Sequence, residues 1–167
     1  MSGHVLTGGT GAFRAELEGY MRAPLRRPPA DDVDAWVHVL PGDPDADEML
    51  HLMQAVAQAQ VSLGRGRGAG FLAVVPVWGV LGPGIAEPVE LAAAAARALA
   101  QVNVEGWSAA GRRINVLAYG ALATSALPGM RDTGVLAART PMHRPAGLAE
   151  LANAIDWPTR SRPTWWR

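Results

Sequence analysis

Glu48 and His51 stand within one helical turn of each other, and Asp45 or Asp47 adds a further acid to the same stretch. That grouping suits proton transfer, although solvated charges on a helix face explain it equally well. The remaining histidines, His4, His38 and His143, are scattered, and no two histidines have the i, i+4 spacing on one helix that a zinc site uses. No metal site is expected. Ser62, Ser108 and Ser125 lack a G-x-S-x-G setting, so a hydrolase nucleophile elbow has no support. Arg65 and Arg67 alternate with glycines, which suits a small anion element or simply a loop between helix and strand. With no cysteine the chain has neither disulfides nor thiolate chemistry, and all 15 of its basic residues are arginine.

These residues sit in a chain of 167, with 49% hydrophobic residues, enough for one domain with a real core. The 15 arginines balance 15 acidic residues, leaving no excess positive charge for a phosphate backbone, so nucleic acid is not an expected partner. No apolar run approaches the length that spans a bilayer, and Met1–Leu6 lacks a basic, then apolar, leader. A soluble protein of the reducing cytoplasm is expected.

The elements that must position these side chains alternate. Val5-Leu6-Thr7 reads as a strand running into Gly8-Gly9-Thr10-Gly11, and Arg14 to Arg22 as a helix. Pro24 and the stretch Arg26 to Asp32 read as a surface connection. Asp34 to Leu40 is a second strand, Asp45 to Leu63 a long amphipathic helix, and Phe71 to Val75 a strand covered on both faces. Pro88 to Val104 forms an alanine-rich helix, Ile114 to Ala118 a fourth strand, and Leu148 to Ile155 a short helix. The order implies an α/β domain with a parallel sheet of about four strands over residues 1–157, followed by a tryptophan-rich tail, 158–167, that carries Trp165 and Trp166.

Two later stretches carry a resemblance. Arg113-Ile114-Asn115 through Tyr119-Gly120 to Thr124 is similar to R-V-N-x-x-x-P-G-x-x-x-T, and Arg139-Thr140-Pro141 to Ala146 is similar to R-x-P-x-x-R-x-A. Both patterns belong to the short-chain dehydrogenase/reductase family, and Val5 to Gly11 resembles that family's first strand and the opening of its T-G-x-x-x-G-x-G turn. The resemblance implies a Rossmann-like three-layer fold, here truncated. It also implies NAD(P)-dependent oxidoreductase chemistry wherever the motif residues are kept.

The departures bear on that chemistry. The family's turn lets bare backbone approach the dinucleotide pyrophosphate at a helix N-terminus, and Ala12 and Arg14 fall where its second and third glycines belong. Ile85 and Val89 stand near the family's proton-passing tyrosine and its lysine, and Pro76 or Val77 stands where its serine belongs. Val39-Leu40-Pro41-Gly42 replaces N-N-A-G, and Tyr119 replaces the proline of the P-G pair. Gly8, Gly9, Gly11 and Thr124 are the remnants of a cofactor site, and of these Thr124 matches a residue that touches the cofactor's amide. Asp31 and Asp32 are the candidates for the acid that holds the adenine ribose.

These readings predict no catalytic residues, no cofactor, lost NAD(P) binding, and no catalysis by the chain alone. The family's second, third and last strands look deleted, which would leave the first strand at a sheet edge. The predicted role is a non-catalytic subunit, pairing with itself or with a full-length catalytic homologue. Contact would run through the Asp45–Leu63 and Pro88–Val104 helices and Trp165 and Trp166, burying on the order of 2,000 Å². An enzyme of altered chemistry, or a small-ligand module in the remnant cleft lined by His51, Glu48, Tyr119 or Thr124, is the alternative.

Overall fold

The computed structural model describes residues 3–9, 11–22, 24–27, 32–41, 46–64, 69–77, 87–124, 133–138 and 140–159. Its elements are β1 (His4–Gly8), α1 (Gly11–Glu18), β2 (Leu25–Arg26), β3 (Ala35–Val39), α2 (Ala46–Ser62), β4 (Gly70–Pro76), α3 (Glu87–Ala109), β5 (Arg113–Tyr119), α4 (Thr133–Ala138) and α5 (Leu148–Thr159). One parallel sheet runs in the order β2-β1-β3-β4-β5. Trp165 and Trp166, Ile85 and Asp31 lie outside the described residues.

The apolar run Phe71 to Val75 makes β4 because its side chains are wanted on both faces of the sheet. Trp36, Phe71, Ala73 and Val75 point to one side, where they meet Leu52 and Val56 of α2 and Ala92 and Ala96 of α3. Val37, Leu72 and Val74, one residue out of step, point to the other, where Phe13 and Leu17 of α1 and Leu151 and Ile155 of α5 cover them. This period-2 division gives three layers, helix, sheet and helix, and every residue of β3 and β4 is buried. Each fully buried aliphatic side chain contributes roughly 1.5–3 kcal/mol. Alanines at 92, 93 and 96 let α3 lie close on the sheet, and the edge of the Trp107 ring meets Phe71, 6.3 Å between centroids.

The sheet corrects the expected strand count from four to five among the described residues. The second strand survives as Leu25–Arg26, paired in parallel with His4 and Val5, and the His4 N–H donates to the Pro24 carbonyl at 2.9 Å. β1 is therefore an inner strand, and the edge it was expected to form is occupied by β2. Two residues flanked by proline and arginine have no periodicity to read, so only the pairing reveals them. α4 is a short helix for which no element was expected, and α5 continues through Pro158 to Thr159, where the threonine hydroxyl donates to the Ile155 carbonyl. Among the described residues no helix is long and apolar enough to cross a membrane.

β1 ends where Gly8 takes φ +75° and Gly9 φ +62°, and a Cβ on Gly8 would fall 2.1 Å from the Val39 carbonyl oxygen. Both the left-handed backbone and the close approach of β3 demand glycine there. Gly8→Ala is expected to lower unfolding stability by about 3 kcal/mol or more. Urea denaturation of the variant checks it, and a loss under ~1 kcal/mol would show that β1 and β3 separate easily at this end.

Candidate functional site

In the strand order β2-β1-β3 the chain reverses its winding at β1, so a crevice opens between the carboxyl ends of β1 and β3. Two cavities flank β1, one between α1 and β2 and the other between β1, β3 and α2. One, of about 580 Å³, is lined by Leu6, Gly11, Arg14, Ala15, Glu18, Leu25, Arg26 and Arg27. Three arginines line it, Arg14 from α1 with Arg26 and Arg27 from β2 and its end, and a Cβ on Gly3, before β1, would fall 3.3 Å from Arg26 Nε. Arg14 stands where the family's turn has its third glycine, at the position of close helix packing. Phe13 and Leu17 fill that contact, while Arg14 is half-buried and lines both cavities.

The second cavity, of about 360 Å³, is lined by Thr7, Gly8, Gly9, Arg14, His38, Glu48, His51, Gln54, Ala55 and Gln58. His38 shares its sheet face with Trp36 and so points toward α2, where Glu48 waits one turn in. Its Nδ1 is hydrogen-bonded to the Thr7 hydroxyl at 3.0 Å, and the same oxygen accepts a hydrogen bond from Trp36 Nε1 at 3.2 Å. Its Nε2, buried, lies 3.8 Å from Glu48 Oε1 and meets no hydrogen-bond partner among the described residues, while Glu48 Oε2 lies 3.7 Å from His51 Nδ1. Burial, with the nearby His51 adding to it, pushes the His38 imidazole down to about 4, so at neutral pH it is uncharged.

The sequence joined Glu48 to His51 correctly but left His38 among the scattered histidines. Its one signal was a polar ring inside the apolar strand Trp36-Val37-His38-Val39. Other candidates disperse. The Tyr119 hydroxyl, buried, donates to the Leu40 carbonyl at 2.9 Å, and burial holds its pKa well above the usual phenol value. Thr124 donates to Glu16 of α1 at 2.8 Å. Asp32 sits beside Gly64 next to the Val33↔Leu63 bridge, at the amino end of the sheet and away from the crevice. His143 lies apart in a left-handed turn with φ 50°. Pro76 is buried within β4, Val77 is half-buried at its end, and Val89 falls in α3. Among the described residues no three histidine, aspartate or glutamate side chains are grouped to hold a metal ion.

No family model matches the chain, and no curated protein matches it. Solved structures do. A short-chain type dehydrogenase/reductase from Mycobacterium ulcerans superposes with a TM-score of 0.71 over 96% of this chain and 85% of its own, at 14% identity. An enoyl-[acyl-carrier-protein] reductase (NADH) from Aquifex aeolicus VF5 gives 0.65 over 94% and 91%, at 13% identity. BdcA in complex with NADPH gives 0.62 over 94% and 86%, at 16% identity. The fold is that of the short-chain dehydrogenases/reductases.

The comparison corrects the expected loss of NAD(P) binding. A protein of the same fold is seen with NADPH, and Arg14, at the position of the family's third glycine, lines the cavities and leaves them open. The residues present fit the phosphate-bearing part of such a cofactor. Positive-φ glycines end β1, α1 begins beside them, and three arginines line the space between α1 and β2.

The buried imidazole makes stability depend on pH. The unfolded chain protonates His38 from about pH 6.5 and the folded chain only near 4, so stability is full above 6.5 and falls as pH drops between the two. The loss should reach roughly 2 kcal/mol by pH 5. His4, also lowered chiefly by burial, adds in the same direction. Denaturant titrations at pH 7.5 and 5.0 should show a smaller drop for His38→Gln than for the parent chain. Equal drops would remove His38 as the source.

Proposed function

We propose that this chain is a non-catalytic, dinucleotide-holding subunit of an oxidoreductase assembly in the cytoplasm, pairing with a copy of itself or with a catalytic short-chain dehydrogenase/reductase. The observation that carries the reading is a pair of apolar stripes on neighbouring helices. Leu50, Met53 and Val61 of α2 are 51%, 57% and 82% exposed, and Leu91 and Val102 of α3 are 67% and 77% exposed. Their spacing puts Leu50, Met53, Ala57 and Val61 on one line, and Leu91, Ala94, Ala98 and Val102 on another. Gln60 Nε2 donates to Asn103 Oδ1 at 3.1 Å between the two helices, so the stripes form one surface. Small residues beside long aliphatic ones suit a second helix pair packed against them, and a patch of this kind marks an interface. Trp157, 80% exposed near the end of α5, is a separate exposed apolar residue on the opposite side of the sheet.

The absence of lysine supports the non-catalytic part, because it leaves no cation to lower a tyrosine's pKa in the family's manner. Of the two tyrosines, Tyr119 is bound to Leu40 and Tyr20 lies just beyond α1. Arg14, Arg26 and Arg27 would hold the phosphates of an NADP-type dinucleotide, which when bound supplies a hydride to chemistry performed by the partner.

Two measurements test the proposal. Light scattering should find the chain dimeric at micromolar concentration, or in complex when co-expressed with a catalytic homologue, and Met53→Asp with Val61→Asp should leave it monomeric. Calorimetric titration with NADPH should show binding that weakens at least tenfold in Arg26→Ala/Arg27→Ala. A monomeric parent chain would end the subunit reading. Affinity indifferent to the arginines would end the cofactor reading. Reductase turnover by the isolated chain would end the non-catalytic one.

A further inference from the structure

Among the described residues the sheet has two unlike edges. β2, at one, is two residues long with Pro24 before it and Arg27 after it, and such a stub offers a foreign strand little to pair with. β5, at the other, runs for seven residues from Arg113 to Tyr119 and pairs with β4 residue for residue, without a bulge. Its one charge is Arg113, at its start, and it contains no proline. The devices that blunt an edge are therefore missing from it, and the backbone groups on its outer side are left to water or to another strand.

The side chains show the same incompleteness. Every residue of β4 is buried, whereas in β5 Ile114, Val116 and Leu117 are half-buried and Asn115 and Ala118 are exposed. Ile114 and Val116 lie against the core beneath α2 and α3, and Leu117 against the core beneath α1 and α5. Each core thus runs out to this edge with its last aliphatic side chains only partly covered. A strand added beside β5 would cover both.

We propose that β5 pairs antiparallel with β5 of a second copy of this chain, joining two sheets edge to edge. The direction follows from symmetry, because two copies of one edge that meet across a twofold axis with their sheet faces continuous must run in opposite senses. The register that pairs all seven residues puts Val116 on the axis, opposite its own copy. Ile114 then lies beside the partner's Ala118 on one face, and Asn115 beside the partner's Leu117 on the other. Arg113 falls opposite the partner's Tyr119, far from the partner's Arg113, so the pairing brings no like charges together. Beyond Tyr119 the chain's own Ala146 takes the hydrogen bonds of Ala121 and Ala123. A seven-residue edge is small beside the ~1,200–2,000 Å² of a stable interface, so the contact is weak, forms above micromolar concentration and adds to the helix surface instead of replacing it. The short β2 edge closes the joined sheet on either side, so it does not grow further.

The chain has no cysteine of its own, so single introduced cysteines report the pairing directly. Opposed Cα atoms in an antiparallel ladder lie about 4.5–5.5 Å apart, within the ~4.4–6.8 Å that a disulfide spans. Under mild oxidation of the concentrated chain, Val116→Cys should form a crosslinked dimer at least about tenfold faster than Ile114→Cys, whose two copies would stand roughly 14 Å apart. Mixing Ile114→Cys with Ala118→Cys should restore fast crosslinking between the unlike chains, which keeps the register testable if Val116→Cys folds poorly. Asn115→Lys/Ala118→Lys, at two exposed positions, should abolish the Val116→Cys crosslink and leave the circular dichroism spectrum unchanged. Carried into the Met53→Asp/Val61→Asp chain, the crosslink should persist, which separates this edge from the helix surface. Equal rates for Val116→Cys and Ile114→Cys, no gain on mixing, or a crosslink indifferent to the two lysines or lost with the helix surface would overturn the edge pairing.

Discussion

The close approach of β1 and β3 at their carboxyl ends is the constraint on which the rest depends. Gly8 meets the Val39 carbonyl at a distance that excludes any side chain, and the chain then turns through two residues of positive φ into α1. Because β1 has β2 on one side and β3 on the other, the helices that follow β1 and β3 leave the sheet on opposite faces. The gap between them holds the cavity lined by His38 and Glu48, and the other cavity lies between α1 and β2. A bulkier turn would push β3 away and, with it, His38 from Thr7.

The core makes the crevice rigid from below. β3 and β4 are buried on both faces, so their polar backbone groups must all be satisfied along the ladder, which fixes register as well as order. Register decides chemistry here, because a one-residue slip of β3 would turn His38 toward α5 and replace it with an aliphatic side chain facing Glu48. The same alternation sets Trp36 beside Thr7, so one apolar strand supplies both the packing and the polar chain of hydrogen bonds.

Charge is distributed in keeping with this division. The cavity between α1 and β2 is lined by three arginines, whereas the one beside α2 has the Glu48 carboxylate near His38 and His51. Arg14 belongs to both, reaching over the end of β1. Away from the crevice, the Arg144–Glu150 pair at 2.7 Å and the Gly147 N–H hold the start of α5, an exposed contact that orders the turn and adds little stability.

The sequence by itself determined the order of strands and helices, because apolar runs and amphipathic spacing are local and survive without knowledge of neighbours. It determined the glycine turn, the absence of lysine and the pairing of Glu48 with His51, all of which are read within a few residues. Tertiary structure alone decided the rest. β2 exists only through its partner, since two residues carry no period. His38 joins Glu48 and Thr7 across 10 and 31 residues of chain because β3 lies between β1 and α2. Arg14 faces the cavities rather than the sheet because Phe13, its neighbour, takes the buried position. Hydrogen bonds and packing between distant segments have no signature in spacing along the chain, so the chemistry of this crevice becomes visible only once the sheet has brought its walls together.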